Sequence, residues 1–213
     1  MEESFTPQKL FILIVELVLL FLMAVVSVGL IRQYVISSMN VSGPSMAPTL
    51  KESGDKVYVY RQGKIERGDV IIFYRPPHGE VNDESLNPAS RKVSFSDFMR
   101  SLPIIGEGIN VTEDGDGYVA IVKRVVACPG DTVKFVNGEL YVENVKEERF
   151  VFKWASPGVG DHYVHTMQED EYFVLGDNRG NSTDSEDYGP IKKSQIYGKV
   201  VMIKSGSKYK TNF

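Results

Sequence analysis

The sequence predicts a mainly β body, an antiparallel sheet folded over itself into a partly open barrel, carried behind a single N-terminal transmembrane helix. Three features predict it. Residues 10–31 (LFILIVELVLLFLMAVVSVGLI) form an apolar run of 22 residues in which Glu16 alone is ionisable. Beyond it, short runs rich in β-branched and aromatic residues alternate with Gly, Pro, Asn and Asp, the pattern of strands and turns. Between two of those runs stands Asn137-Gly138, the pair that a type I′ hairpin turn selects because both central residues need positive φ.

The apolar run comes first. At about 1.5 Å per residue it spans about 33 Å as a helix, enough for hydrocarbon about 30 Å thick. Its leader, MEESFTPQK, carries two acids, and its core exceeds the 7 to 15 residues or so of a cleaved secretion signal, so a retained anchor is expected. Glu16 lies one to two turns from the Lys9 end, as a near-interface acid or a contact for a partner helix. Lys9 and Arg32 flank the run on opposite sides, so charge leaves its orientation open. The expected division is a short terminus at 1–9, a transmembrane helix at 10–31 and a body at 32–213, long enough for one hydrophobic core.

Within the body, strands are expected at 56–60 (KVYVY), 69–74 (DVIIFY), 118–127 (YVAIVKRVVA), 132–136 (TVKFV), 139–142 (ELYV), 171–175 (EYFVL) and 196–203 (IYGKVVMI). Gly68-Asp69 and Gly130-Asp131 are turns that deliver the chain into strands. Residues 76–117 are too long for an ordinary loop and read as an insertion, with Ser94 or Ser96 capping a short helix through Leu102. Alternating aromatic and polar residues at 143–169 read as a further hairpin or small flap, with Trp154 there for packing. The final SGSKYKTNF reads as a solvated tail.

Composition excludes some functions. With 24 basic against 28 acidic residues the chain has a formal net charge of -4, so no basic field suits nucleic acid. Cys128 is the only cysteine, which rules out an intrachain disulfide and a cysteine metal cage, and a small buried hydrophobe is its expected state. Neither a cofactor nor a metal is expected.

Chemistry gathers in three segments. In SGPSMAPTL, Gly43, Pro44 and Pro48 bracket Ser45 with one permissive residue and two restricted φ angles, setting its hydroxyl on a tight turn. A serine hydroxyl is a weak nucleophile until a base activates it. Lys123 in VAIVKRVVA is the candidate base: on a strand its same-face neighbours are Ile121 and Val125, and burial among them penalises the ammonium. The competing reading is a lysine that snorkels from an edge strand or pairs with an acid. The third segment, GDNRGNSTDSEDYG at 176–189, follows a strand directly; Ser182 is placed to hold the lysine amine, and Asp177 or Asp184 to pair Arg124. Its acid spacing does not match an EF-hand, so a calcium loop is not expected.

Four motifs in one order, SMAPTL at 45–50, RGDVIIF at 67–73, KRVVACPGD at 123–131 and GDNRGNSTDS at 176–185, follow one membrane helix. The chain thereby resembles the bacterial type I signal peptidases, Ser-Lys serine proteases of the membrane. That resemblance implies Ser45 as nucleophile, Lys123 as general base, Ser182 as the lysine's hydrogen-bond partner and Asp184 in a structural ion-pair network. It also implies Met46 at the surface that meets substrate and membrane. Further implications are secreted preproteins with signal peptides as substrates, a lipid bilayer and the protein-export channel as neighbours, and a catalytic body on the outer face of the bacterial cytoplasmic membrane with a cytoplasmic N-terminus.

Two departures stand out. Some relatives carry an oxyanion serine two positions before the nucleophile, where this chain has Gly43; Ser42 is one step further back, and Pro44 has no N–H to offer. Many relatives carry an arginine after the DS pair, where this chain has Glu186, which leaves Asp184 to pair with Arg124. Three rival readings are weaker. A soluble Ser-Lys self-cleaving repressor conflicts with the apolar run; a Ser-His-Asp hydrolase using His78, His162 or His165 lacks the G-x-S-x-G elbow; a noncatalytic membrane-anchored binding module is told apart by whether Lys123 titrates near neutrality and whether Ser45→Ala abolishes cleavage.

Overall fold

The computed structural model describes residues 6–51, 53–75, 119–148 and 163–213. Helix α1 (Pro7–Tyr34) opens on a proline in its first turn, where the missing N–H is no loss. Its side chains from Leu10 to Ile31 are exposed nearly all round, and the stretch Pro7–Ile31 is long and apolar enough to cross a bilayer. One residue, Val35, separates it from the first strand, and Val35 is pinned from both sides: its N–H donates to Ile31 O, and its own carbonyl accepts from Arg61 N.

The body holds β1 (Ile36–Ser42), β2 (Ser53–Tyr60), β3 (Val70–Arg75), β4 (Val119–Ala127), β5 (Thr132–Val136), β6 (Glu139–Val142), β7 (Val145–Lys146), β8 (Val164–Thr166), β9 (Glu171–Leu175), the short helix α2 (Ser185–Tyr188), β10 (Ile191–Lys192), β11 (Ile196–Ser205) and β12 (Lys208–Lys210). All seven strands expected from the sequence form. The antiparallel pairs build a large sheet in the order β1-β2-β11-β3-β4-β9-β10, with β12 on β11, and a small sheet β7-β6-β5-β8. The large sheet stays open, with β1 on its edge among the described residues, yet it curls far enough for the turn after β1 to reach β4, four places across.

Three apolar clusters hold this shape. Met39, Val41, Met46, Leu50, Val57 and Val59 fill the fold between β1 and β2. Val133, Phe135, Leu140 and Val142 of the small sheet pack on Val126, Phe173 and Leu175 of the large one. Ile71, Phe73, Val125 and Val174 form the third, on β3, β4 and β9. Each fully buried side chain of this size stabilises by about 1.5 to 3 kcal/mol.

Local chemistry explains the turns. Asn137 and Gly138 take φ of 52° and 75°, the double positive that the Asn-Gly pair allows, and they join β5 to β6. Glu143 and Asn144, at 53° and 63°, make a second such turn into β7, so the start of the expected 143–169 flap belongs to the small sheet. Residues 149–162 of that flap, with Trp154, and the whole of the 76–117 insertion lie outside the described residues, while the flap's end supplies β8 to the small sheet. The tail is exposed over 206–212 as expected, but part of it is a strand. Lys208–Lys210 pairs with β11, and Phe213 packs against the first cluster, because β11 reaches Ser205 and the Gly206 turn folds the chain back.

Candidate active site

Ser45 stands on the turn that leaves β1. Gly43 takes φ of +100°, a conformation that side chains rarely adopt, and this turns the chain away from the sheet edge. The turn is sewn down from a distance: Asn178 donates from its backbone N–H to Ser45 O (3.0 Å) and from Nδ2 to Pro44 O (3.1 Å). Sequence reasoning missed Asn178, and the only signal was its place in the GDN triplet that ends β9.

Lys123 comes from β4, opposite Ile71 of β3 and flanked on its own face by Ile121 and Val125. Its Nζ donates to Ser45 Oγ at 2.8 Å, across 78 residues of sequence. The side chain is 3% exposed. Burial lowers its pKa from 10.5 to about 8; Asp184, Asp177 and Asp187 oppose the fall, and Arg179 adds to it. Once the amine is neutral, the same 2.8 Å separation serves an O–H···N hydrogen bond, the geometry a general base requires.

Arg124, next in the strand, is a clamp. It donates Nε and Nη2 to the two carboxylate oxygens of Asp177 (2.8 and 2.7 Å), and Nη1 to Gly68 O (2.7 Å) and Phe213 O (3.1 Å). Thr49, four residues after Ser45, donates to the same Asp177 carboxylate. One guanidinium therefore ties three of the other segments around the site, and of the two acids open to it on sequence grounds it takes Asp177. The expected pairing of Asp184 with Arg124 is wrong. Asp184 pairs with Arg179 (2.7 Å), caps α2, and accepts from Gly176 N (3.0 Å), because the turn at 179–181 brings that arginine back over the carboxylate.

Ser182 is half-buried, and its buried hydroxyl has no hydrogen-bond partner among the described residues, so the hydrogen bond expected between it and the Lys123 amine does not form. It packs against Gly176, where an added Cβ would collide with that hydroxyl and come within 2.5 Å of Ser45 O. Gly176→Ala is therefore expected to push the Ser45 turn off its seat and lower turnover tenfold or more, a loss on the scale of a misplaced reacting group. Steady-state turnover of the full chain in detergent, matched with a thermal melt, checks it; unchanged turnover would show that the turn gives way freely.

Ser42 is exposed and borders a cleft of about 260 Å³ together with Gly43, Ser45, Met46, Ala120 and Ile121. The cleft runs between the edge of β1 and the start of β4. Met46 corrects another expectation: it is 1% exposed and lies in the first core cluster, too enclosed to meet lipid, although it borders the cleft. Cys128 is half-buried against the third cluster, and burial raises its thiol to about 11, which keeps it protonated. His165 sits on the small sheet, tied to Glu171 at 2.8 Å, and Ser45 has a lysine where a triad would set a histidine. His78 and His162 lie outside the described residues.

The chain is 28% identical over 207 residues to signal peptidase IB of Staphylococcus aureus strain COL, covering 88% of this chain and 87% of that one. It is 27% identical over 177 residues to a probable signal peptidase I-2 of Synechocystis, covering 80% and 63%. A crystal structure of a signal peptidase I from Enterococcus faecalis aligns at 22% identity and a TM-score of 0.37, over 65% of this chain and 97% of that one. The family model described as signal peptidase, peptidase S26, matches residues 14–204, most of α1 and nearly all of the body, and to that family of serine endopeptidases the chain belongs.

Proposed function

We propose that the chain is a membrane-anchored endopeptidase that removes N-terminal signal peptides from secreted preproteins, with Ser45 as nucleophile and Lys123 as general base. The observation that carries this reading is the 2.8 Å contact between a buried, pKa-lowered amine and a hydroxyl on the rim of an open cleft. Neutral Lys123 takes the Ser45 proton as Oγ attacks the scissile carbonyl. The Ser45 amide and the Ser42 hydroxyl hold the oxyanion. The ammonium returns its proton to the leaving amine as the C–N bond breaks, leaving an acyl-enzyme on Ser45. Water then attacks the ester, giving its proton to Lys123, which passes it back to Ser45 Oγ. Arg124, Asp177 and Asp184 hold the segments in place through this cycle.

The edge of β1, unpaired among the described residues, suits an extended substrate that pairs backbone to backbone. Small residues at the first and third positions before the cut fit the narrow cleft between β1 and β4. Anchoring by residues 10–31 keeps enzyme and leader in one membrane plane, raising their effective concentration. The N-terminus lies in the cytoplasm, and the catalytic body at 32–213 faces outward beside the export channel.

Reconstituted in liposomes, the full chain is expected to cut a preprotein once, at the end of its leader. The rate should climb about tenfold from pH 7 to a plateau with a midpoint near 8, because only the neutral amine accepts the proton and about a tenth of it is neutral one unit below its pKa. A preprotein left intact throughout, or a rate falling as pH rises from 6 to 8, would overturn the reading.

A further inference from the structure

Behind the proposed pair lies a buried ion cluster around Asp184, in which Arg179 and Glu186 have no part in the mechanism above. Arg179 is 5% exposed. It meets Asp184 through Nη1 at 2.7 Å and Glu186 through Nη2 at 2.5 Å. Asp184 in turn accepts from Gly176 N at 3.0 Å and, through its other oxygen, from Glu186 N at 3.3 Å. Asp187 closes the turn by accepting from Asp184 N at 2.8 Å. Gly176 is the residue that abuts both Ser182 and Ser45 O. A continuous path of hydrogen bonds and contacts thus leads from the Glu186 carboxylate to the nucleophile turn.

Resting on the Ser45-Lys123 reading above, we infer that Glu186 is a positioning residue: it holds Arg179 against Asp184 and so fixes the charged wall behind the proposed catalytic amine. Arg179 and Asp184 act on that amine in opposite senses, the arginine against its charged form and the aspartate for it. Their balance depends on where the guanidinium sits, and Glu186 grips the nitrogen that Asp184 does not. The other charges that reach Lys123 are Asp177, already matched by Arg124, and Asp187, engaged in the α2 cap. Its β3 partner, Ile71, is apolar. Glu186 is therefore the remaining adjustable charge in the cluster.

Glu186→Gln keeps the shape and an acceptor but removes the charge. Arg179 then loses one of the carboxylates it pairs with, its field bears more on Lys123, and the acid limb of the rate profile should move to lower pH by about half a unit, the size expected of one screened charge. Glu186→Asp, which keeps the charge, should restore the wild-type midpoint. The double variant Arg179→Gln with Glu186→Gln leaves Asp184 unopposed, so its midpoint should move the other way, upward; it carries the test if the single variant does not fold. The measurement is kcat/KM against pH for the full chain in detergent, with a fluorogenic peptide carrying alanine at the first and third positions before the cut. A midpoint unmoved in both Gln variants, with only the melting temperature lowered, would reduce Glu186 to a structural residue and sink the inference. If Lys123→Met stays active, the fault lies in the base assignment itself; if Lys123→Met is dead and the midpoints do not move, only the role of Glu186 falls.

Discussion

Replacing Lys123 by Met is expected to lower cleavage by about 10³-fold or more and, in the same protein, to raise stability. The loss follows from geometry, since Ser45 Oγ has its base at 2.8 Å and a thioether accepts a proton poorly. The gain follows from burial. Folding takes the Lys123 pKa from 10.5 down to about 8, so below pH 8 the native state carries an ammonium it holds poorly, at a cost of about 3 kcal/mol. Between pH 8 and 10.5 the unfolded chain keeps the proton and the native state sheds it, so wild-type stability rises with pH across that window. Met removes the cost and forfeits one hydrogen bond worth about 1 kcal/mol, leaving a net gain of about 2 kcal/mol at pH 7. By pH 10.5 that advantage should have disappeared. Urea unfolding of both proteins in detergent at pH 7 and pH 10 reads it directly. A Met variant less stable at pH 7, or an advantage indifferent to pH, would mean that the amine is not held at a disadvantage. Ser45→Ala should lose cleavage without this pH signature.

That amine was legible in the sequence because a strand places residues at i±2 on one face, so VAIVKRVVA alone surrounds Lys123 with apolar neighbours. The Asn137-Gly138 hairpin was legible for a similarly local reason, since its φ requirement belongs to two adjacent residues. What escaped depended on distant partners. The segment ISSMNVS of β1 looks like a polar loop until Ser37 finds Tyr197 at 2.8 Å, and Met39 and Val41 find the first core cluster. The insertion of β11 between β2 and β3 is a pairing choice with no local mark. Asp184 went to the wrong arginine because two arginines of equal local merit were available, and only the turn at 179–181 decides between them. Met46 was placed at the surface because its role was inferred from the company it keeps, whereas the turn that exposes Ser45 drives the next side chain inward.

Asp177→Ala is expected to be the most damaging substitution to the fold, costing about 3 to 5 kcal/mol, because it strands a buried guanidinium. The Arg124 side chain is 4% exposed and that of Asp177 1%. Arg124 cannot shed its proton. The loss also takes away the acceptor of the Thr49 hydroxyl, leaving it only the long 3.4 Å contact from Arg124 Nη2, so the segment carrying Ser45 loosens at the same time. Arg124→Met breaks the same pair from the other side, yet the stranded group is now a carboxylate, which can be neutralised by taking up a proton. Its deficit should therefore shrink as the medium is acidified toward about pH 5, whereas that of Asp177→Ala should not. The double variant removes both charges and should recover part of the loss, giving a coupling energy of about 1.5 to 3 kcal/mol between the two sites. Since a domain of this size is stable by only about 5 to 15 kcal/mol, Asp177→Ala alone should be visible as a large drop in melting temperature of the full chain in detergent. Additive effects in the double variant, with no pH dependence for Arg124→Met, would show that the clamp contributes through its contacts to Gly68 and Phe213 and that the ion pair adds nothing of its own.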